Sequence, residues 1–158
     1  MKLKSIGVIR TPFKDPHGMP INVHDGKSAR GEVHVYKRYA KGLKDLEGFE
    51  RIWLIFRFHR SRPHRMIVTP YMDKTPRGVF ATRAPSRPNA IGISCVRLRR
   101  VEGNVLHISE LDILDGTPLL DIKPYQPSDC FPNVRLGWMD KVWKDRPASD
   151  GRFTRSRK

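Results

Sequence analysis

Thirteen prolines and twelve glycines divide this 158-residue chain into short pieces. Proline has no amide proton to donate inside a helix, and glycine loses the most backbone entropy on ordering. Long helices therefore have little room. What lies between the breaks reads as strands. Arg51 to Phe58 is rich in β-branched and aromatic residues and is expected to be a central, mostly buried strand. Gly31 to Tyr36 alternates with period two, and Leu3 to Ile9 reads as a first strand. Met66 to Thr69, Gly78 to Thr82 and Leu119 to Ile122 are shorter candidates. Ile91 to Glu102 and Val105 to Leu111 flank Gly103-Asn104 and read as a hairpin. Many short strands with turn signals between them predict an all-β barrel or sandwich.

Helical content is expected only in pieces. Leu43 and Leu46 suggest one turn within Gly42 to Gly48, and Leu136, Met139, Val142 and Trp143 suggest a terminal helix over Arg135 to Lys144. The polar loop Thr11 to Arg30 is long for a compact domain, which marks it as functional or disordered. One domain over 1–144 is expected, with a flexible basic tail over 145–158.

The chain carries 31 Lys/Arg against 16 Asp/Glu, a net of +15, with a pI near 10.4. Such a surface attracts polyanions, nucleic acid first. The charge is segregated: residues 60–100 hold ten Lys/Arg and one Asp, whereas residues 101–140 hold two Lys/Arg and seven Asp/Glu. The longest apolar run, Ile52 to Phe56, is five residues and far short of a membrane span of about 20. The N-terminus lacks the apolar stretch of a signal peptide, so a cytoplasmic protein is expected. Cys95 and Cys130 form no Cys-x-x-Cys pair, so neither a zinc site nor a disulfide scaffold is expected, and Cys95 reads as a core residue.

Three constellations can carry chemistry. Arg83 and Arg87 lie in a proline-restricted loop, Arg83 to Asn89, where guanidinium forks suit carboxylate or phosphate; solvated loop arginines are the bland alternative. Asp115-Gly116-Thr117-Pro118 is a turn signature, with Asp112 before it and Asp121 and Lys123 after it on one strand face. Asp115 reads best as a turn cap, and Asp121 with Lys123 as a ligand contact or a surface pair. His59 ends the apolar strand as a base, a ligand contact or a half-buried residue. No two glycines lie two apart, so a Gly-x-Gly-x-x-Gly dinucleotide fingerprint is excluded, and no phosphate-binding loop or nucleophile elbow is present. A Rossmann-type enzyme is not expected.

The ordered set Ile6-Gly7-Val8-Ile9-Arg10-Thr11-Pro12-Phe13-Lys14, Gly48-Phe49 with Trp53 to His59, the Arg83 and Arg87 loop, and Asp115 to Pro118 with Asp121-Ile122-Lys123-Pro124-Tyr125 resembles the TsaA-like (TrmO) family over residues 3–133. The resemblance implies a small antiparallel β-barrel, not a Rossmann fold. It implies a homodimeric tRNA (adenine-N6)-methyltransferase that uses S-adenosylmethionine and acts on threonylcarbamoyladenosine beside the anticodon.

Carried onto this sequence, the resemblance implies a methyl-donor pocket of Pro20, Ile21, Asn22, His59, Arg60, Arg83, Ile93, Leu111, Asp112 and Ile113. The family often has Pro-Arg-Gln at Pro20-Ile21-Asn22 and Asn-Pro-Ile-Gly at Asn89-Ala90-Ile91-Gly92. His59, Arg83 and Asp121 are implied as catalytic, with His59 or a carboxylate as proton acceptor. Arg87, Asn89, Lys123 and Tyr125 are left for the RNA, whose other contacts are expected from the barrel, a second subunit or the tail. No metal is implied. Two rival readings remain: a basic barrel that binds RNA without chemistry, and a nucleotide hydrolase with a metal held by Asp112 and Asp121.

Overall fold

The computed structural model describes residues 2–143 and 147–155. Six strands close into an antiparallel barrel in the order β1, β2, β7, β6, β3, β8. They are β1 (Gly7–Arg10), β2 (Arg30–Val35), β3 (Arg51–Arg57), β6 (Ile91–Glu102), β7 (Val105–Ser109) and β8 (Thr117–Pro124). Two short strands, β4 (Ile67–Val68) and β5 (Arg77–Gly78), pair separately as an arm.

Alternation fills the barrel. Ile52, Leu54 and Phe56 of β3 point inward with Ile9, Val33, Val96 and Leu119, all at most 3% exposed. Burying each such side chain contributes about 1.5–3 kcal/mol. The expectation of a mostly buried β3 is corrected here. Trp53 and Ile55 face outward and are only half-buried. Cys95 pairs with Trp53 on that outer face and is likewise half-buried, not core.

The Gly103-Asn104 hairpin forms with Glu102 opposite Val105, and Gly103 takes a positive φ of 59°. Helical pieces are 3-10 turns at Lys37–Leu43, Leu46–Gly48, Val79–Ala81, Pro127–Asp129 and Gly137–Lys141. The strand expected over Gly78 to Thr82 therefore ends at Gly78. The terminal helix shrinks to Gly137–Lys141, entered through Gly137 at φ 63°, and Lys144 lies outside the described residues.

The segment 145–158, expected as a flexible tail, is described over 147–155, and there it is a packed strap. Phe153 is 7% exposed in a small second core with Val68, Val79 and Ala84, edge-on to Tyr71 at 5.1 Å. Gly18 N–H donates to Ser149 O at 2.6 Å, and Arg155 N–H donates to Arg60 O at 2.8 Å. One aromatic anchor and backbone bonds at both ends hold a stretch whose composition reads as solvated.

Candidate active site

One end of the barrel collects the site. β6 hands its pairing from β3 to β7 at Arg97, which faces both Arg51 and Ser109. Beyond Ser109 the chain leaves β7 and covers the barrel end, with Leu111 and Ile113 at most 1% exposed in the core. The long loop after β1 lies against this segment. Leu111 N–H donates to Gly26 O at 3.2 Å, and a Cβ on Gly26 would collide with the Leu111 carbonyl. Only glycine allows that approach.

Asp112 sits at this crossing. Ser94 Oγ, on the inner face of β6, donates to Asp112 Oδ1 at 2.6 Å. Burial pushes the Asp112 carboxyl up to about 6, against the Ser94 bond and the nearby Arg83 guanidinium, while Asp25 adds to the rise. Asp25 accepts from Asn22 Nδ2 at 2.5 Å, and Asn22 Oδ1 accepts the His24 N–H at 3.0 Å. The fold thus gathers Asn22, Asp25, Arg83, Ser94 and Asp112. A strongly shifted acid bonded to a hydroxyl, with a guanidinium close enough to lower it, has the character of a functional group.

His59 stands just beyond β3. Thr117 Oγ1 donates to Leu114 O at 2.7 Å, so toward His59 Nδ1, at 3.3 Å, it acts as acceptor. That places the imidazole proton on Nδ1 and makes Nε2 the acceptor nitrogen. Phe58 packs edge-on to Phe56 at 5.3 Å, and both rings press on Gly92, where a Cβ would collide. His59, Gly92 and Ser94 therefore mark one rim of the barrel.

Other expected site residues lie elsewhere or do structural work. Asp115, 6% exposed, accepts the Thr11 N–H at 3.1 Å and the Lys14 ammonium at 2.7 Å. Burial raises its carboxyl, but the bonds to Lys14 and Thr11 outweigh it and hold the group below the usual carboxylate range. Asp115 is the turn cap. Arg87 Nη1 donates to Thr82 O at 3.1 Å and braces its own loop, while Asn89 and Arg83 remain exposed. Pro20 and Ile21 are half-buried in the long loop. The Leu111 and Ile113 side chains are core, so only their backbone is available to a ligand.

Four residues are not brought into this cluster. Ile93 neighbours Ser94 but points outward, opposite Ile55, and is 46% exposed. Asp121 also faces outward opposite Ile55 and pairs with Lys123 at 2.9 Å. Tyr125 stacks near Trp53, and its N–H donates to Arg51 O at the far end of β3. At about 3.4 Å per residue, β3 alone puts about 20 Å between that end and the end that leads to His59. Asp112 bonds Ser94 at the barrel end while Asp121 faces outward and pairs with Lys123, so nothing brings the two carboxylates together for the metal the hydrolase reading needs. Among the described residues no three His, Cys, Asp or Glu side chains are placed to hold a metal ion.

Ser94 and Thr117 were not expected. The signal for Ser94 was present: a hydroxyl at an inward position between Gly92 and Val96 needs a partner. The donor set suits S-adenosylmethionine, whose carboxylate, ammonium and ribose call for a guanidinium and a carboxylate. Arg83 and Asp112 supply these. Arg60 adds an observation of its own. Its Nε and Nη1 donate to Arg155 O at 2.8 Å and Lys14 O at 2.9 Å, and its Nη2 is buried without a partner.

Comparison with known proteins gives the family. A "Probable S-adenosyl-L-methionine-binding protein" of Pyrococcus abyssi is 52% identical over 153 residues, covering 95% of this chain and 83% of that one. The tRNA (adenine(37)-N6)-methyltransferase of Escherichia coli is 40% identical, covering 87% of this chain and 63% of that one. The crystal structure of TrmO from Pseudomonas aeruginosa superposes with a TM-score of 0.74 at 38% identity, over 87% of this chain and 61% of that one. This chain thus spans about three-fifths of the last two. The family model of the tRNA-methyltransferase O N-terminal domain matches residues 8–130, and the chain belongs to that family.

Proposed function

We propose that this protein transfers a methyl group from S-adenosylmethionine to the exocyclic N6 nitrogen of threonylcarbamoyladenosine next to the anticodon of tRNA. The observation that carries the reading is the Asp112 cluster, in which a carboxyl pushed up to about 6 accepts from Ser94 and feels the Arg83 charge at the barrel end. It is supported by relatives named for methyl-donor binding and for tRNA (adenine(37)-N6) methylation.

S-adenosylmethionine, when bound, supplies an electrophilic methyl on a sulfonium. Arg60, Arg83 and Asp112 hold it, with Asn22 ordering the loop beside them. The target nitrogen conjugates with the ureido carbonyl and is a weak nucleophile, so alignment of the two is the main contribution, worth several kcal/mol. A nitrogen that took up the methyl would have to shed its proton. His59 Nε2 is the acceptor, with the ring set by Thr117 at 3.3 Å. Asp121 is withdrawn from this role by its outward position and its pairing with Lys123. Arg83 also suits the threonyl carboxylate, which would make the earlier modification a requirement.

The same reading includes a homodimer and a cytoplasmic location. The outer face of β3 and β6 supports the dimer, with Ile93 at 46% exposed beside Ile55 and Phe131 at 72% nearby in sequence to the Trp53-bound Asp129. Among the described residues no helix is long and apolar enough to cross a membrane.

The test is methyl transfer from labelled S-adenosylmethionine to tRNA with and without threonylcarbamoyladenosine. Label only in the modified pool is expected. Label in both pools would remove the specificity, and label in neither, with tRNA still bound, would leave a binding module.

A further inference from the structure

Among the described residues, two of the surface clefts differ in their electrostatics. The larger, about 660 Å³, has basic walls that are answered from within: Lys14 meets Asp115 at 2.7 Å, and His107 meets Glu32 at 3.5 Å. The smaller, about 330 Å³, is lined by Arg57, Arg62, Arg87, Arg155, His59 and His64, with no Asp or Glu among the described residues that line it. Among the described residues, Arg57, Arg62 and Arg155 make no ion pair. Cations gathered without counter-charges raise one another's energy, so they persist only where the chain forces them together.

Here three segments are sewn by bonds that do not involve those charges. Arg62 N–H donates to Phe153 O at 3.1 Å, and Arg155 N–H donates to Arg60 O at 2.8 Å. Ser61 Oγ donates to Pro85 O at 2.8 Å, and the 3%-exposed Ser86 donates from Oγ to Phe153 O at 3.2 Å. The strap anchored by Phe153 therefore serves to present Arg155. The cleft also shares His59 with the candidate active site.

We propose that this cleft grips the phosphodiester backbone of the RNA flanking the nucleotide delivered to His59, and that the C-terminal strap is a structural part of that grip. Spaced guanidinium groups from β3, the 61–65 loop, the 82–90 loop and the strap suit a chain of phosphates better than a single anion. The inference rests on the tRNA reading above and names the surface that serves it.

The test uses the full chain with Arg62→Ala and Arg155→Ala combined, and a second variant with Lys at both positions. Modified tRNA affinity is measured across salt concentrations, alongside S-adenosylmethionine affinity. For the alanine pair, tRNA affinity is expected to fall about tenfold at low salt, and the log–log salt slope to shrink by about 1.4–1.8, the value for two lost phosphate contacts. Donor affinity should hold, and the lysine pair should restore most of the slope, which a packing defect would not allow. An unchanged slope in the alanine pair, with tRNA still methylated, would overturn the cleft and leave the methyltransferase reading standing. Failure of the unmodified protein to bind tRNA while still binding donor would overturn both. Inorganic phosphate competing as strongly as an RNA stem-loop at equal phosphate would assign the cleft to a free anion and overturn the backbone grip.

Discussion

Ser94 Oγ donates to Asp112 Oδ1 at 2.6 Å, joining the inner wall of the barrel to the segment that covers its end. The bond favours the ionised carboxyl, which burial has already pushed up to about 6. Removing it in Ser94→Ala should raise the Asp112 pKa further. Donor affinity, measured by calorimetry from pH 5 to 8, should then begin its acid loss at least half a unit higher than in the parent. An unmoved acid limb would show that Asp112 does not need its charge to hold the donor.

The same shift has a consequence for stability. The folded pKa of Asp112 lies above its ordinary value of 3.8, so between the two the native state binds the proton and the unfolded state does not. Stability contributed by this group is therefore full below about 3.8 and lost as pH rises through about 6. Asp112→Asn keeps an acceptor for Ser94 and removes the ionisation. Thermal melts at pH 7 should show a Tm higher by about 3 °C or more, together with loss of donor binding, the usual exchange of stability for function. A Tm advantage that shrinks steadily as pH falls from 7 toward 3.8 is the expected signature.

Gly26 lets the long loop lie directly against the Leu111 backbone. Gly26→Ala forces the two apart. Because the loop is peripheral to the barrel core, its Tm cost should be small, under about 3 °C, whereas donor affinity should fall about tenfold or more as Asn22 and Asp25 move away from Asp112. A large Tm loss with intact donor binding would mean the loop is only structural.

Much of the barrel was legible because alternation is a local signal. Ile52, Leu54 and Phe56, and the Gly103-Asn104 turn, announce themselves within a few residues. Asn22, Arg83 and Asp112 could be singled out, and the fold does gather them. Asp121 shows where such reading stops. Counting by two from Thr117 and Leu119, both inward, puts Asp121 inward as well. The register shift between Ile55 and Phe56 leaves Leu120 without a partner, and the extra residue turns Asp121 outward and Ile122 inward. A bulge is a property of two paired strands and leaves no mark on one. The strap was hidden for a similar reason. Phe153 is one aromatic among basic residues, and its pocket of Val68, Val79 and Ala84 exists only after the arm has folded.

The outward face of β3 and β6 bears on assembly. Ile93 is 46% exposed opposite Ile55, with Trp53 and Cys95 one step along the same strands. If this face is the dimer contact, Ile93→Asp buries a charge without a partner and should yield a monomer by light scattering with an unchanged circular dichroism spectrum. A parent protein that is already monomeric at tens of micromolar would remove the dimer, and a variant that stays dimeric would move the contact elsewhere.

His59 and Thr117 give the sharpest separation of chemistry from binding. Thr117 is 2% exposed and accepts from His59 Nδ1 while donating to Leu114 O, so it sets which ring nitrogen faces outward without reaching substrate itself. Thr117→Val keeps the shape and removes the acceptor. The ring then loses its tautomer bias, and kcat should fall about tenfold with donor and tRNA affinities nearly unchanged. His59→Gln removes the proton acceptor, and kcat should fall about a hundredfold or more, within the usual range for a general base. In the double variant the Thr117 change should have no further effect, since it acts only through the imidazole. Additive losses would instead mean that Thr117 contributes through the Leu114 turn, and equal transfer by His59→Gln and the parent would take the proton-acceptor role from His59 altogether.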